Sequence, residues 1–287
     1  MDAQPPRRAR SLAEMEEADA RMGDPDETGA ISDYRPRLSD IVISPYAKCG
    51  TTWLQQMFHT LRTGGDMDFD DISRVVPWIE TSRLLRIDLE APQRAAPRGF
   101  KSHLAWDKIP KGARYVVSLR DPKDALVSLH RFMEGWVLEP GAVRVEDFAK
   151  LAFDSAAKGE GCWAHLISWW GQRDNPDVLL LTYAHMVADP ELAVRRLAAF
   201  CGIALDDALL ALTLERTSFA YMLAHKDRFD DAILRHLSET RGVGGHREAM
   251  GPELSLRMDQ MWAATVTPIT GHTDYAALEA DVRRLAM

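Results

Sequence analysis

The stretch that decides the fold runs from Ile41 to Trp53 and reads IVISPYAKCGTTW. Its first three residues are β-branched and apolar, a composition typical of a short buried strand. Gly50 permits the backbone angles of a tight loop, and Thr51 or Thr52 can cap a following helix. The free N–H groups and the positive dipole end of a helix attract anions. The stretch therefore predicts a strand, an anion-binding loop and a helix.

Length, charge and cysteine content bound the class of protein. The 287 residues suffice for one large α/β domain or two small ones. The net charge of −8 argues against non-specific nucleic-acid binding, but not against a local basic pocket. Cys49, Cys162 and Cys201 lack the spacing of a metal site or a disulfide framework, which favours a reducing compartment. Because neither a secretory signal nor a transmembrane stretch is visible, we expect a cytoplasmic protein.

Three further strands are predicted downstream, with helical patterns between and after them. They cover Arg98–Leu104, Tyr115–Leu119 and Val178–Thr182. No linker of disordered composition divides residues 38–287, so we expect one α/β domain with a mostly parallel sheet flanked by helices. Residues 1–37 are rich in Arg, Glu, Asp and Pro and are predicted to form a loose polar arm.

Polar side chains follow the predicted strand ends. They are Lys48, His103, Arg120 and Tyr183. In a parallel sheet the carboxyl ends of the strands meet at one edge, and ligands bind beyond that edge. We therefore expect these four side chains to converge on one crevice.

A second phosphate-binding segment, RDPKDALVS, begins at Arg120. Arginine presents a planar fork of donors that suits phosphate. Pro122 is expected to open a helix, where its missing N–H costs nothing, and Ser128 lies two turns into that helix. Taken alone, the segment also permits a surface ion pair of Arg120 with Asp121 or Asp124.

Three segments together resemble the cytosolic-type sulfotransferases. The loop KCGTTW is similar to the family's KSGTTW, and RDPKDALVS is similar to its R-[ND]-P-x-D-x-x-x-S segment. Between them, Lys101-Ser102-His103 is similar to the family's K-[TS]-H. The resemblance spans about Leu38 to Trp262 and implies a sulfotransferase domain, with a P-loop-like phosphate site, over residues 38–287.

The resemblance implies transfer of a sulfuryl group from 3′-phosphoadenosine 5′-phosphosulfate (PAPS) to a hydroxyl acceptor by in-line displacement. The product of the donor is 3′-phosphoadenosine 5′-phosphate (PAP). By this resemblance His103 is the base that deprotonates the acceptor, Lys48 stabilises the leaving phosphate and Lys101 assists the sulfuryl oxygens. No metal is expected, because lysines and helix N–H groups supply the positive field.

The implied cofactor site combines the loop, the arginine segment, a strand-end tyrosine, a Thr-Ser-Phe run and a glycine turn. Its residues are Lys48, Cys49, Gly50, Thr51, Thr52, Trp53, Arg120, Ser128, Tyr183, Thr217, Ser218, Phe219, Arg241 and Gly242. Candidate walls of a substrate pocket are Trp78, Trp106, Phe132 and Trp136. They favour an apolar or aromatic alcohol or phenol, although such residues are also common in hydrophobic cores.

The chain departs from the family pattern in several places. Ala47 and Cys49 replace a proline and a serine of the loop, and Thr240 replaces the first basic residue of the glycine turn. His246-Arg247 replaces Asp-Trp, and the dimer motif of the animal enzymes is not visible, which leaves the oligomeric state open. Because Cys49 lies beside Lys48 at a helix N-terminus, its pKa is expected to fall below about 8.5, unless its sulfur packs inward and is inert.

Other classes of protein fit the loop less well. A P-loop nucleotide kinase or nucleotide-binding protein requires lysine directly after the last loop glycine, where this chain has Thr51. A cysteine phosphatase using Cys49 requires an arginine six residues later, where Gln55 stands. A catalytically inactive binding protein is disfavoured because the lysine, histidine, arginine and serine of the three motifs occur together.

Overall fold

The computed structural model describes residues 8–22, 29–229 and 250–284. Four strands form one sheet, namely β1 (Ile41–Ile43), β2 (Gly99–Lys101), β3 (Arg114–Leu119) and β4 (Val178–Thr182). Their order across the sheet is β2-β1-β3-β4, and every neighbouring pair is parallel. The predicted α/β fold with a parallel sheet is confirmed.

Helices precede, separate and follow the strands. In chain order they are α1 (Leu12–Met22), α2 (Ala30–Asp33), α3 (Thr51–Thr63), α4 (Ile72–Val75), α5 (Pro122–Trp136), α6 (Val145–Ala157), α7 (Gly161–Trp170), α8 (Tyr183–Ala188), α9 (Pro190–Cys201), α10 (Asp207–Arg216), α11 (Phe219–Ala224), α12 (Pro252–Thr265), α13 (Thr267–Thr270) and α14 (Tyr275–Arg284). Short 3₁₀ turns occupy Ile79–Thr81 and Lys226–Arg228. Across the described ranges, none of these helices has both the length and the apolar character that crossing a membrane requires.

The sheet is buried on both faces. Ile41, Ile43 and Val116 pack into a cluster with the apolar sides of α3 and α9. Val42 and Val117 point the other way, into a cluster that includes side chains of α5, α6, α7, α12 and α14. A strand covered on both sides must be apolar at every position, which is why β1 and β4 read as continuous apolar runs.

The segment that precedes β1 is packed onto the domain. Ala9, Met15 and Tyr34 are buried in the same cluster as Val42. The main chain of Ala9 also exchanges 2.8 Å hydrogen bonds with Val137 and Glu139. Residues 8–17 and 29–37 of the predicted polar arm therefore contact the domain at several points. Composition averaged over the segment hides these few apolar side chains, whose burial favours this contact.

A glycine sets how closely α3 approaches the sheet. A Cβ atom placed on Gly99 of β2 would lie 2.1 Å from the ring of Phe58 on α3, far inside van der Waals contact. Because Gly99 carries no side chain, α3 packs directly against β1 and β2. This packing places the N-terminus of α3 at the carboxyl edge of the sheet.

Candidate active site

The loop between β1 and α3 has the shape of an anion site. Lys48 and Gly50 both have left-handed backbone conformations, with φ of 64° and 96°. Gly50 is the N-cap of α3, and without a side chain it cannot satisfy the N–H groups of the first turn. These N–H groups and the helix dipole therefore point into the loop, where they favour an anion.

Arg120, the first residue after β3, binds this loop. Its guanidinium donates a 2.7 Å hydrogen bond to the carbonyl oxygen of Lys48. The same guanidinium lies 4.4 Å from the ring centroid of Tyr183, and this ring meets that of Trp53 edge-on at 5.9 Å. The structure thus brings Lys48, Trp53, Arg120 and Tyr183 together.

Ser118 is a residue of this region that the motifs missed. Its buried hydroxyl donates a hydrogen bond to the carbonyl oxygen of Cys49, so that β3 supports the loop at a second point. The signal in the sequence is a single polar residue within the apolar run of β3. A buried polar side chain requires a partner, and that requirement points to a nearby loop.

Helix α5 contributes to the same region. The ammonium group of Lys48 lies 4.1 Å from the ring centroid of Phe132. Ser128 is partly buried one turn before Phe132, on the same face of the helix. Trp136, one turn further on, is 4% exposed and contacts Phe132 at 6.4 Å between ring centroids. Phe132 therefore borders the loop, and Trp136 lies behind it.

His103 follows β2 and is held in a defined tautomer. Its Nδ1 lies 2.8 Å from the carbonyl oxygen of Pro45. A carbonyl oxygen only accepts hydrogen bonds, so Nδ1 must donate and carries the proton. Nε2 is then the basic nitrogen of the neutral ring, which is the arrangement that a general base requires.

Lys101 and Trp78 lie beside this histidine. The ammonium group of Lys101, which is 2% exposed, lies 3.9 Å from the ring centroid of Trp78. The rings of Trp78 and His103 meet edge-on, with 5.2 Å between centroids. Of the four predicted pocket residues, Trp78 and Phe132 are thus in contact with predicted catalytic side chains.

Glu80 is a second buried polar residue that the motifs missed. Its Oε1 accepts hydrogen bonds from the main-chain N–H of His103 at 2.6 Å and from the hydroxyl of Ser102 at 3.2 Å. Burial raises the pKa of this carboxyl, and the donated hydrogen bonds oppose the rise. A lone carboxylate at the end of the apolar run VVPWIE is the signal that could have identified it.

The expectation of a lowered pKa for Cys49 is wrong. Burial raises the pKa of this thiol to about 12, although the nearby charges of Arg120 and Lys48 act in the opposite direction. The side chain is 4% exposed and its sulfur faces the carbonyl oxygen of Ala47 at 3.7 Å. Desolvation of the thiolate outweighs the attraction of the neighbouring cations. The alternative of an inward-packed thiol is the one that the structure supports.

Trp106, another predicted pocket residue, packs in a different group of aromatic side chains. Its ring packs against Tyr115 and Trp169, with 5.4 Å between centroids in both cases. Tyr115 lies near the beginning of β3, whereas Arg120 follows its end. The structure places Trp106, which is partly buried, against the hydrophobic core together with these two rings.

The Thr-Ser-Phe run forms the junction of α10 and α11. Thr217 is buried and its hydroxyl donates to the carbonyl oxygen of Thr213, while Ser218 caps α11 by accepting from the N–H of Tyr221. Phe219 is 77% exposed. Helix α10 packs on α3, whose N-terminus forms the anion site. The predicted glycine-turn residues Thr240, Arg241, Gly242, His246 and Arg247 lie outside the described residues.

Comparison with known proteins identifies the family. A family model described as the sulfotransferase domain matches residues 38–268. The chain belongs to the sulfotransferase family. The resemblance carried by the three sequence segments is thereby confirmed.

Curated sulfotransferases match most of the chain. Sulfotransferase 1E1 of Bos taurus is 29% identical over 202 residues, which cover 67% of this chain and 68% of that protein. Luciferin sulfotransferase of Photinus pyralis is 24% identical over 279 residues, covering 80% of this chain and 72% of that protein. These relatives extend the sulfotransferase match beyond the three short motifs.

Solved structures show the same fold. A retinol dehydratase in complex with androsterone and the inactive cofactor PAP superposes with a TM-score of 0.71 at 17% identity, covering 86% of each chain. A mouse sulfotransferase, SULT7A1, complexed with PAP superposes with a TM-score of 0.62 at 21% identity, covering 90% of this chain and 92% of that one. The sulfotransferase described here therefore has the α/β architecture of these proteins.

Proposed function

We propose that this sulfotransferase transfers a sulfuryl group from PAPS to a hydroxyl acceptor. The observation that carries the proposal is a set of buried donor atoms around the N-terminus of α3. The Thr51 hydroxyl, the Trp53 indole N–H and the Nε–H of Arg120 have no hydrogen-bond partner within the described part of the chain. Buried donors are normally satisfied, so their grouping at an anion-favouring helix end fits a phosphorylated ligand.

The residues around the loop fit the parts of PAPS. The first-turn N–H groups of α3 and Lys48 would hold the 5′-phosphosulfate, and Arg120 with Ser128 would hold the 3′-phosphate. Trp53 and the exposed Phe219 offer flat apolar faces for the adenine ring. Roles for Tyr183, Thr217, Ser218, Arg241 and Gly242 in the same site are part of this proposal.

The proposed reaction uses three side chains. Nε2 of His103 takes the proton of the acceptor hydroxyl, while the oxygen attacks sulfur in line with the departing phosphate oxygen. An S–O bond to the acceptor forms as the S–O bond to phosphate breaks. Lys48 stabilises the negative charge that develops on the departing phosphate, and Lys101 stabilises the sulfuryl oxygens. The 3′-phosphate does not react, and its binding positions the sulfur.

The aromatic side chains suggest the class of acceptor. Trp78 and Phe132 lie beside His103 and Lys48, and they favour an apolar or aromatic alcohol or phenol. Among the relatives, one is named for luciferin and one is bound to androsterone. A cytoplasmic location also belongs to the proposal, and it rests on the three free cysteines.

A binding and transfer experiment tests the proposal. Calorimetry with PAP, PAPS and ATP should show binding of the two 3′-phosphorylated nucleotides and much weaker binding of ATP. Incubation with ³⁵S-labelled PAPS and a panel of phenols, aliphatic alcohols and sugars should then give a labelled sulfate ester of a phenol or apolar alcohol. Preference for ATP over PAP would favour the nucleotide-kinase alternative and overturn the assignment of PAPS.

A further inference from the structure

The segment Pro77–Glu80, called the 77–80 segment below, runs beside the end of β2. The N–H of Lys101 donates a 2.7 Å hydrogen bond to the carbonyl oxygen of Pro77, and Trp78 pairs with Lys101 as an isolated parallel bridge. The segment thus extends the sheet at its β2 edge. Its side chains lie against the residues that we assign to catalysis.

Trp78 contacts both of these catalytic side chains. The ammonium group of Lys101 lies over the ring face at 3.9 Å, and the His103 ring packs edge-on at 5.2 Å, with 87° between the ring planes. A cation within about 6 Å of an indole face is attracted by the ring quadrupole. Lys101 is 2% exposed, so water does little to weaken this attraction.

Glu80 acts on the same residues through the main chain. Its Oε1 binds the N–H of His103 and the hydroxyl of Ser102, and the residue is 7% exposed. Hydrogen bonds in a buried site of low dielectric are stronger than in water. The 77–80 segment therefore holds the Lys101–His103 segment by its main chain and by both reacting side chains.

We propose that Trp78 and Glu80 are positioning residues, which place Lys101 and His103 for sulfuryl transfer. Trp78 orients the ammonium group and the imidazole through its ring, and Glu80 fixes the main chain from which the imidazole projects. The inference rests on the proposed function of His103 and Lys101. It differs from the role of Trp78 as a wall of the acceptor pocket, because a wall changes acceptor binding and a positioning residue changes turnover.

Four variants test this inference, namely Trp78→Leu, Trp78→Phe, Glu80→Ala and Glu80→Gln. Misplacing a catalytic group by about 1 Å costs on the order of 10²-fold in rate. We expect Trp78→Leu and Glu80→Ala to lower kcat by about ten- to a hundredfold, with PAP affinity within about twofold of wild type. Acceptor KM should also stay within about twofold of wild type in Glu80→Ala. Trp78→Phe keeps an aromatic face and Glu80→Gln keeps a carbonyl acceptor, so both should recover most of kcat.

Trp163→Leu is the matched control. Trp163 is 1% exposed and stacks on Phe153 in the core, so its loss should lower the melting temperature while kcat of the folded enzyme is unchanged. A rise in acceptor KM at unchanged kcat for Trp78→Leu would overturn the positioning role and leave Trp78 as a pocket wall. Equal turnover of Glu80→Ala and Glu80→Gln would overturn the role of Glu80.

The outcomes separate this inference from the proposed function. If Trp78→Leu does not fold, two other comparisons test the positioning role. They are Trp78→Phe against wild type, and Glu80→Ala against Glu80→Gln. Wild-type protein that neither binds PAP nor transfers sulfate would refute the proposed function before any variant is compared. Active wild type with unaffected variants would refute the positioning role alone.

Discussion

The guanidinium of Arg120 donates a 2.7 Å hydrogen bond to the main-chain carbonyl of Lys48, 72 residues earlier in the chain. This bond joins the two segments proposed to bind phosphate. Because a single side chain contacts both the loop and the proposed 3′-phosphate position, the shape of the loop and the orientation of the arginine depend on one another.

Replacement of Arg120 by alanine should weaken PAP binding by about 1.5 to 3 kcal/mol, the usual cost of losing a charged hydrogen bond. The same replacement should weaken binding of an analogue without the 3′-phosphate by a smaller amount. Some loss is still expected for that analogue, because the Lys48 carbonyl loses its hydrogen-bond donor. Titration calorimetry with both ligands measures the difference. Lys123→Ala is a nearby control, since Lys123 lies on α5, three residues after Arg120, and pairs with Asp259 at 2.6 Å. Equal losses for both ligands would show that Arg120 does not bind the 3′-phosphate.

His103→Ala should lower kcat by about 10²- to 10⁴-fold, the usual range for losing a general base. PAPS affinity should barely change, because the contacts of His103 with Pro45, Glu80 and Trp78 involve none of the groups proposed to bind phosphate. Single-turnover kinetics with saturating PAPS would measure the chemical step. His185→Gln is a control, since that histidine pairs with Glu279 on the α8–α14 side of the molecule. Near wild-type turnover of His103→Ala would remove it from the mechanism.

Gly50→Ala should destabilise the protein and abolish tight PAP binding. The residue has φ of 96°, and an added Cβ would lie 3.0 Å from the Tyr183 ring. Gly64→Ala isolates the backbone effect, because Gly64 has φ of 66° and no atom within 4 Å of the new Cβ. Each variant should lose about 1 kcal/mol or more of unfolding free energy through strain. Only Gly50→Ala should lose PAP affinity, and similar affinity in both variants would contradict a role of the Gly50 turn in binding.

The Cys49 thiol should react slowly with iodoacetamide in the folded protein. A pKa of about 12 leaves a thiolate fraction at pH 7.5 roughly 10³-fold below that of a free cysteine, and burial slows access further. Mass spectrometry after timed labelling should show Cys49 unmodified until the protein is unfolded in urea. Rapid labelling of Cys49 that bound PAP prevents would instead show an accessible, reactive thiol and would contradict the inward-packed position of its sulfur.

Two buried histidines should make the protein sensitive to mild acid. Burial, with repulsion from Arg62, lowers the pKa of His59 to about 4, and burial near His103 lowers that of His165 to about 3. Both rings are neutral in the folded state, whereas unfolded histidine takes up a proton near pH 6.5. Their contribution to stability is therefore present above pH 6.5. It is lost as the pH falls through about 4 for His59 and about 3 for His165, by up to about 1.4 kcal/mol per pH unit for each group.

Urea unfolding at pH 7 and pH 5 measures this loss. His59→Gln removes one of the two titrating groups, so its unfolding free energy should fall less than that of wild type between the two pH values. Carboxylates make wild type and His59→Gln equally sensitive to acid, so the difference between the two proteins reports on His59 alone. An identical pH dependence of wild type and His59→Gln would exclude a contribution from this histidine.

The sequence alone determined the alternation of strands and helices and which polar side chains follow the strand ends. The β-branched runs, Pro122 and the loop glycine are local signals for strands, a helix start and a tight turn. Parallel strands place their carboxyl ends at one edge of the sheet, independently of how the flanking helices pack. For that reason the sequence alone predicts that Lys48, Arg120 and Tyr183 lie close together. The position of His103 near this edge was predicted by the same rule, and its role as a base was implied by the resemblance of its segment to the sulfotransferase family.

Only the tertiary structure decided the contacts and the protonation of these groups. Ser118 and Glu80 are single polar residues whose partners lie 69 and 23 residues away, and nothing local specifies those partners. The pKa of Cys49 likewise could not be predicted from neighbouring residues in the sequence. Its cationic neighbour and helix end are visible in the sequence and lower the pKa, whereas desolvation depends on every segment packed around the sulfur. Because burial sums over residues that are distant in the chain, it reversed the direction that the local pattern predicted.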